Sequence, residues 1–221
     1  DPGIWWQIVE KYKVTVMFSA PTAARVLKKQ DPAYMHKYDL STLKHIFMAG
    51  EPLDQPTHEW FMNELQKPVI DNYWQTETGW PMLAAAPGVE KTPIKFGSPS
   101  FPVYGYNLKI FREDGSVCGP NEKGIAAVIP PLPPGCLSTV WGQDDRFVST
   151  YFNLFKDPLV YSSYDWAIKD DDGYFTILGR TDDVINVAGH RLGTREIEEA
   201  IQAHAAIAEV ADAVVVGSAL V

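Results

Sequence analysis

Gln75-Thr76-Glu77-Thr78-Gly79 brings an amide, two hydroxyls, a carboxylate and a glycine together just after a short apolar run. Hydroxyls can donate to phosphate oxygens, and a carboxylate can hold Mg²⁺ beside them. A polar turn capped by its own side chains has the same composition, and both readings stay open on these residues alone. A second constellation is Arg180-Thr181-Asp182-Asp183, followed by Gly189-His190-Arg191. The planar fork of arginine suits phosphate, while a surface charge cluster capping a turn is the alternative. An isolated histidine such as His190 reads as structural, and His36, His45 and His58 show no metal-ligand spacing. Trp74 and Trp80 read as core aromatics. The chain contains no Gly-x-x-x-x-Gly-Lys-Ser/Thr loop and no Gly-x-Gly-x-x-Gly or Gly-x-Ser-x-Gly motif.

These groups need elements to carry them. Apolar spacing predicts helices over Pro2–Lys13, Thr22–Lys29 (with Thr22 as N-cap) and Gln55–Leu65. Val14–Phe18, His45–Met48 and Val69–Asn72 read as strands, the first of them buried. Strands alternating with helices indicate a mostly parallel α/β layer. Ligands of such sheets sit beyond the carboxyl ends of the strands, where Gly50-Glu51-Pro52 and Tyr73–Gly79 fall. After Gly79 the pattern becomes antiparallel β: Tyr106–Phe111, Gly124–Ile129 and Phe175–Leu178, with hairpin-type turns at Asp114-Gly115 and Asp172-Gly173. Val184–Val187 reads as a strand, Gly189–Gly193 as a loop, Thr194–His204 as a helix and Glu209–Val216 as a strand. Residues 130–135 form a stiff, proline-rich connector.

The bulk properties exclude several classes. A 46% hydrophobic composition over 221 residues supports one sizeable core or two modest ones and argues against disorder. A net charge of -9 argues against nucleic-acid or anionic-membrane binding, but leaves room for an anionic small ligand held by local groups. Cys118 and Cys136 have no Cys-x-x-Cys spacing, which fits a reduced, cytoplasmic compartment and leaves one disulfide as the alternative. No run approaches the ~20 apolar residues of a membrane span, and no signal peptide opens the chain. Both ends read as cut: Asp1 is not a methionine, and the chain stops within an apolar run.

At Tyr73-Trp74-Gln75-Thr76-Glu77-Thr78-Gly79 the chain resembles the adenylate-forming acyl-CoA synthetase superfamily. Ser19-Ala20-Pro21-Thr22, Gly50-Glu51-Pro52-Leu53, Tyr161–Asp165, Gly179–Ile185 and Gly189–Glu198 follow the family's order. Trp141-Gly142, Asp145-Arg146-Phe147 and Tyr151-Phe152 resemble the short-chain branch, the acetyl- and propionyl-CoA synthetases. The resemblance implies ATP/AMP, coenzyme A and Mg²⁺ as cofactors and small molecules as partners. Gly50-Glu51-Pro52 would line the adenine, and Tyr73, within Asp71-Asn72-Tyr73-Trp74-Gln75, would stack on it. Thr76 would meet the α-phosphate, Glu77 bind Mg²⁺ and Asp165 take the ribose hydroxyls. Arg180 and Arg191 would assist at ribose and phosphate, and the backbone at Ala188 and Gly189 would face pantetheine. The segment with Gln202, His204 and Ile207 resembles one whose carbonyls hold a structural cation. Trp74 would close the acyl pocket against long acids. Ala49 stands where acetate enzymes tend to carry valine, which implies propionate over acetate.

The resemblance also implies the organisation. Residues 1–181 would belong to a large adenylation domain (1–79 an α/β layer, 80–181 mainly β), and 182–221 would start a small C-terminal α+β domain hinged at Asp182. The family's lysine-containing phosphate loop would lie upstream of Asp1 and its catalytic lysine beyond Val221, so these residues would hold only part of an active site. Two alternatives accompany the ligase reading: a catalytically incomplete nucleotide-binding fragment, and an amino-acid-activating adenylation domain. Tyr164 departs from the family, which usually has glycine before the ribose-binding aspartate, and residues 210–214 do not follow the family's usual strand.

Overall fold

In the computed structural model, residues 1–155, 157–182, 184–187, 190–193 and 200–201 are described. They form two compact units: residues 1–74 with 83–101, and residues 75–82 with the described residues from 102 onward. The fold class is α/β, with parallel pairing in the first unit and antiparallel pairing in the second.

The first unit contains α1 (Ile4–Tyr12), β1 (Val16–Ser19), α2 (Pro21–Lys28), α3 (Ala33–His36), β2 (His45–Met48), α4 (Gln55–Leu65), β3 (Val69–Tyr73) and β4 (Leu83–Ala84). Strands β1, β2 and β3 run parallel, and β4 closes the sheet antiparallel to β3. The core gathers Trp6 and Val9 of α1, Ile46 and Met48 of β2, Phe61 and Leu65 of α4 and Val69 of β3. These are the inward positions of 3.6-residue and two-residue repeats. β1 corrects one expectation: it starts at Val16 and is not buried, since Val16 and Phe18 are exposed. The cause is its place at the edge of the sheet. Thr22 is not an N-cap either. α2 begins one residue earlier, because Pro21, with its preset φ and no N–H, takes the first helical position.

α4 starts where Asp54 accepts the Thr57 N–H at 2.9 Å. Burial would raise the Asp54 carboxyl, but the bonds from Thr57 and the Arg25 guanidinium outweigh it and hold it below the usual value. A carboxyl lowered on folding stabilises above its unfolded pKa of about 3.9, and that stabilisation is lost as pH falls through the folded value. Asp54→Ala should therefore cost about 1–2 kcal/mol near neutral pH. In urea unfolding followed across pH, the deficit should shrink below about pH 4.

The second unit contains β5 (Asn107–Phe111), β6 (Gly124–Ile129), α5 (Asp144–Tyr151), β7 (Tyr161–Lys169), β8 (Phe175–Arg180), β9 (Val184–Val187) and β10 (His190–Gly193). β5 to β8 form an antiparallel sheet in sequence order over a core of Phe111, Ile125, Ala127, Phe155 and Val160. Gly189–Gly193 is not simply a loop: within it His190–Gly193 is a strand that pairs antiparallel with β9, while Gly189 lies outside the described residues. The helix expected at Thr194–His204 lies outside the described residues except for helical Ala200 and Ile201, and the strand expected at Glu209–Val216 lies wholly outside them. Cys118 and Cys136 are free thiols.

Candidate active site

The residues expected to carry the chemistry fall into two groups, one on each unit. On the first unit, the parallel register places Ser19 beside Met48 and Met48 beside Asp71. Ala49, Gly50 and Trp74 therefore leave the sheet along one carboxyl edge, the usual ligand position of such sheets. Ala49 is buried, and its N–H donates to Ser19 O at 3.1 Å. Gly50 holds φ +100, and no atom stands within 4 Å of where a Cβ would be. Glu51 accepts the Thr22 N–H at 2.9 Å and pairs with Arg25. Asp71 and Asn72 are buried, and Asn72 Nδ2 donates to Met48 O at 3.3 Å, joining the ends of β3 and β2. Tyr73 is half-buried. Trp74 and Trp80 are not core aromatics: they are 39% and 63% exposed. Trp74 lies past the end of its strand, edge-on to Phe18 with centroids 6.4 Å apart.

On the second unit, Thr76–Thr78 forms a single 3₁₀ turn. Both readings of this motif survive, divided among its residues. Thr78 is buried and caps the turn: its Oγ1 accepts the Gln75 N–H at 3.1 Å. Gly79 is in the left-handed region at φ +64, and a Cβ there would meet Gly135 O at 2.2 Å, so only glycine fits. Thr76 is exposed and Glu77 half-buried.

Gln75 sits at the centre of a polar web. Its Nε2 donates to Asp165 Oδ2 at 2.8 Å and to Ser163 O at 2.7 Å, and its Oε1 accepts from the Tyr161 hydroxyl at 2.9 Å. The Tyr151 hydroxyl donates to Glu77 Oε1 at 2.7 Å, and the rings of Tyr151 and Tyr161 stack at 5.3 Å. Burial, with the Glu77 hydrogen bond, pushes the Tyr151 phenol up to about 12. Burial and the Glu77 charge push Tyr161 up as well. Both phenols thus keep their protons and serve as donors. The web aims Gln75, Glu77 and Asp165 while leaving Thr76 exposed. The residues are polar enough to meet hydroxyls, phosphate oxygens and one cation. Among the described residues no group of three or more His, Cys, Asp or Glu side chains could hold a metal ion alone. A lone carboxylate fits Mg²⁺, which usually takes one or two carboxylates and completes its shell with water and substrate phosphates.

Asp165 is buried and pairs in register with Arg180. Before it, Tyr164 occupies the left-handed region at φ +58, the conformation a glycine would adopt without penalty. Three bonds hold it there. The Tyr164 N–H donates to Ser162 Oγ at 3.3 Å, its carbonyl accepts the Thr181 N–H at 2.8 Å, and its hydroxyl donates to Thr150 O at 2.6 Å. The departure from glycine is thus accommodated, at a backbone cost on the order of 1–2 kcal/mol.

Arg180 turns its fork onto Asp182, at 2.9 and 3.0 Å. That bond holds the Asp182 carboxyl below its ordinary value. Arg191 lies in β10 opposite Asn186. Ala188, Gly189, Gln202, His204 and Ile207 lie outside the described residues. Sequence reasoning named Tyr151 and Tyr161 only as parts of motifs and passed over Arg25. The partners they find are distant in the chain, and no local pattern signals them.

The model of the AMP-binding enzyme family matches residues 1–128. The chain is 61% identical over 212 residues to a propionate–CoA ligase of Escherichia coli K12, covering 96% of this chain and 34% of that protein. It is 42% identical over 216 residues to an acetyl-coenzyme A synthetase of Wolinella succinogenes, covering 96% and 33%. The chain thus spans about a third of the length of the curated relatives it matches. Among solved structures, an anthranilate–CoA ligase in complex with anthranoyl-AMP superposes with a TM-score of 0.77 over 93% of this chain and 37% of the other, at 23% identity, a likeness of fold.

Proposed function

The chain belongs to the AMP-binding enzyme family, and on that premise we propose that it is part of an AMP-forming short-chain acyl-CoA ligase that activates propionate in preference to acetate. The observation that carries this reading is the Gln75 web, in which one amide ties the Thr76-Glu77 turn to the Asp165 carboxylate.

The reaction has two halves. A carboxylate oxygen attacks the α-phosphorus of ATP, the bond to the bridging oxygen breaks, and pyrophosphate leaves. The coenzyme A thiol then attacks the acyl carbonyl, and AMP departs with the electron pair of the anhydride bond. The first half joins an anion to a polyanion, so alignment and charge neutralisation dominate. In this chain Gly50-Glu51-Pro52 lines the adenine and Tyr73 stacks on it, flanked by Asp71 and Asn72. Asp165 accepts from the two ribose hydroxyls, held by Gln75. Thr76 donates to the α-phosphate, and Glu77, aimed by Tyr151, is the residue that would hold Mg²⁺. When bound, Mg²⁺ neutralises phosphate charge. Arg180 and Arg191 serve ribose and phosphate.

For the second half, residues 182–221 turn as a small domain against residues 1–181 about Asp182. Hinges are short positions that absorb dihedral change. Asp182 pairs with Arg180 at 2.9 Å, a contact that turning about this position would alter. By the same resemblance the backbone at Ala188 and Gly189 would face pantetheine, and carbonyls of the segment with Gln202, His204 and Ile207 would hold a structural cation. The two free thiols fit a reducing, cytoplasmic compartment. No helix among the described residues is long and apolar enough to cross a membrane.

Ala49 and Trp74 bound the acyl pocket. A methylene in such a pocket is worth about 1–3 kcal/mol. The full-length gene product should therefore show kcat/KM for propionate at least ~10-fold above that for acetate. Equal values, or a preference for acetate, in a thioester assay would refute the substrate assignment.

A further inference from the structure

Arg25 has no part in the chemistry described above, yet it meets two carboxylates beside the first unit's site. It lies in the last turn of α2 with a side chain only 16% exposed. Its Nη1 donates to Asp54 Oδ2 at 3.0 Å, and its Nη2 donates to Glu51 Oε2. The other Glu51 oxygen accepts the Thr22 N–H at 2.9 Å and the Thr22 hydroxyl. Glu51 thus sits on the N-terminus of α2, where Ala20 supplies no side-chain cap and helix N–H groups lack partners. Asp54, meanwhile, caps α4. One guanidinium therefore fastens both ends of the segment Glu51–Asp54. Immediately before it, Gly50 stands at φ +100 with open space on its Cβ side.

We propose that Arg25 is a positioning residue for adenine recognition: its fork locks the loop after β2 so that the Gly50–Pro52 backbone is preformed for the base. The inference rests on the adenine role assigned to that loop. A loop ordered before binding spares the ligand the entropy of ordering it. A planar fork can bridge two carboxylates in fixed geometry, which the single ammonium of lysine cannot. Arg25 touches neither substrate nor reacting atoms, so its loss should weaken nucleotide recognition without slowing the chemical step.

The test is steady-state kinetics of the full-length gene product with ATP and with inosine triphosphate, which differs only in the base. Rates are normalised to active enzyme by a single-turnover acyl-AMP burst. For Arg25→Gln, KM for ATP should rise about tenfold and the ATP-over-inosine-triphosphate preference should fall by about the same factor. The kcat and the KM for propionate should stay within about threefold. Arg25→Lys should fall between wild type and Arg25→Gln. Asp54→Asn, which keeps an oxygen for the Thr57 N–H and removes the charge that Arg25 Nη1 meets at 3.0 Å, should reproduce the loss, and adding Arg25→Gln to it should contribute little more, because both break one clamp. Asp54→Asn also serves as the test if Arg25→Gln fails to fold. An unchanged base preference in these variants, with an active wild type, overturns the clamp alone. So does a propionate KM that rises in step with that for ATP. A wild-type product that forms no acyl-CoA from ATP overturns the loop's adenine role, and the clamp with it.

Discussion

Glu77→Gln in the full-length gene product is expected to lower kcat for acyl-CoA formation by about 10²–10³-fold. The amide keeps the shape of the side chain and an oxygen to accept the Tyr151 hydroxyl, which approaches Glu77 Oε1 at 2.7 Å. Packing and the 3₁₀ turn therefore survive, and the thermal midpoint should move little. What is lost is the negative charge assigned to Mg²⁺. The Mg²⁺ concentration for half-maximal rate should rise, and excess Mg²⁺ should recover part of the loss. A structural role for Glu77 would lower stability and leave the Mg²⁺ dependence alone. A kcat within about fivefold of wild type, at unchanged Mg²⁺ dependence, would remove Glu77 from the metal role.

The second large effect concerns substrate length. Trp74 is 39% exposed and meets Phe18 edge-on, so it closes space without anchoring a core. Trp74→Gly should cost little stability. It should lower kcat/KM for propionate by about 10²-fold as the pocket loses its contact with the short chain. Acids of five to eight carbons should gain activity over wild type, and the optimum should shift to them. A uniform fall for every acid, without a shift, would show that Trp74 does not bound the acyl pocket.

The regular parts of the fold were legible in the sequence because they obey local rules. β2, α4 and β6 begin and end where expected: a short apolar run marks β2, and apolar spacing marks α4. β7 was not foreseen. Its buried Ser162, Ser163 and Asp165 break the apolar pattern, and hydrogen bonds such as Ser163 Oγ to Ala126 O at 2.7 Å and Gln75 Nε2 to Asp165 Oδ2 at 2.8 Å offset their burial. α5 was missed as well: it is short and mostly polar, and only Phe147 of it is buried. The same contrast holds at the site. Thr76, Glu77 and Asp165 were legible as residue types in motifs. Their alignment was not, because Gln75 reaches Tyr161 and Asp165 across 86 and 90 residues of chain. The Arg25 clamp on Glu51 likewise spans 26 residues and leaves no local trace.

The central claim is that a carboxylate oxygen attacks the α-phosphorus of ATP. The most direct measurement is the fate of ¹⁸O from doubly labelled propionate, turned over by the full-length gene product with ATP, coenzyme A and Mg²⁺ and read by mass spectrometry of the nucleotide. One ¹⁸O in each AMP formed, with unlabelled pyrophosphate, is the expected result. Label in inorganic phosphate with ADP as product, or AMP free of label, would contradict it.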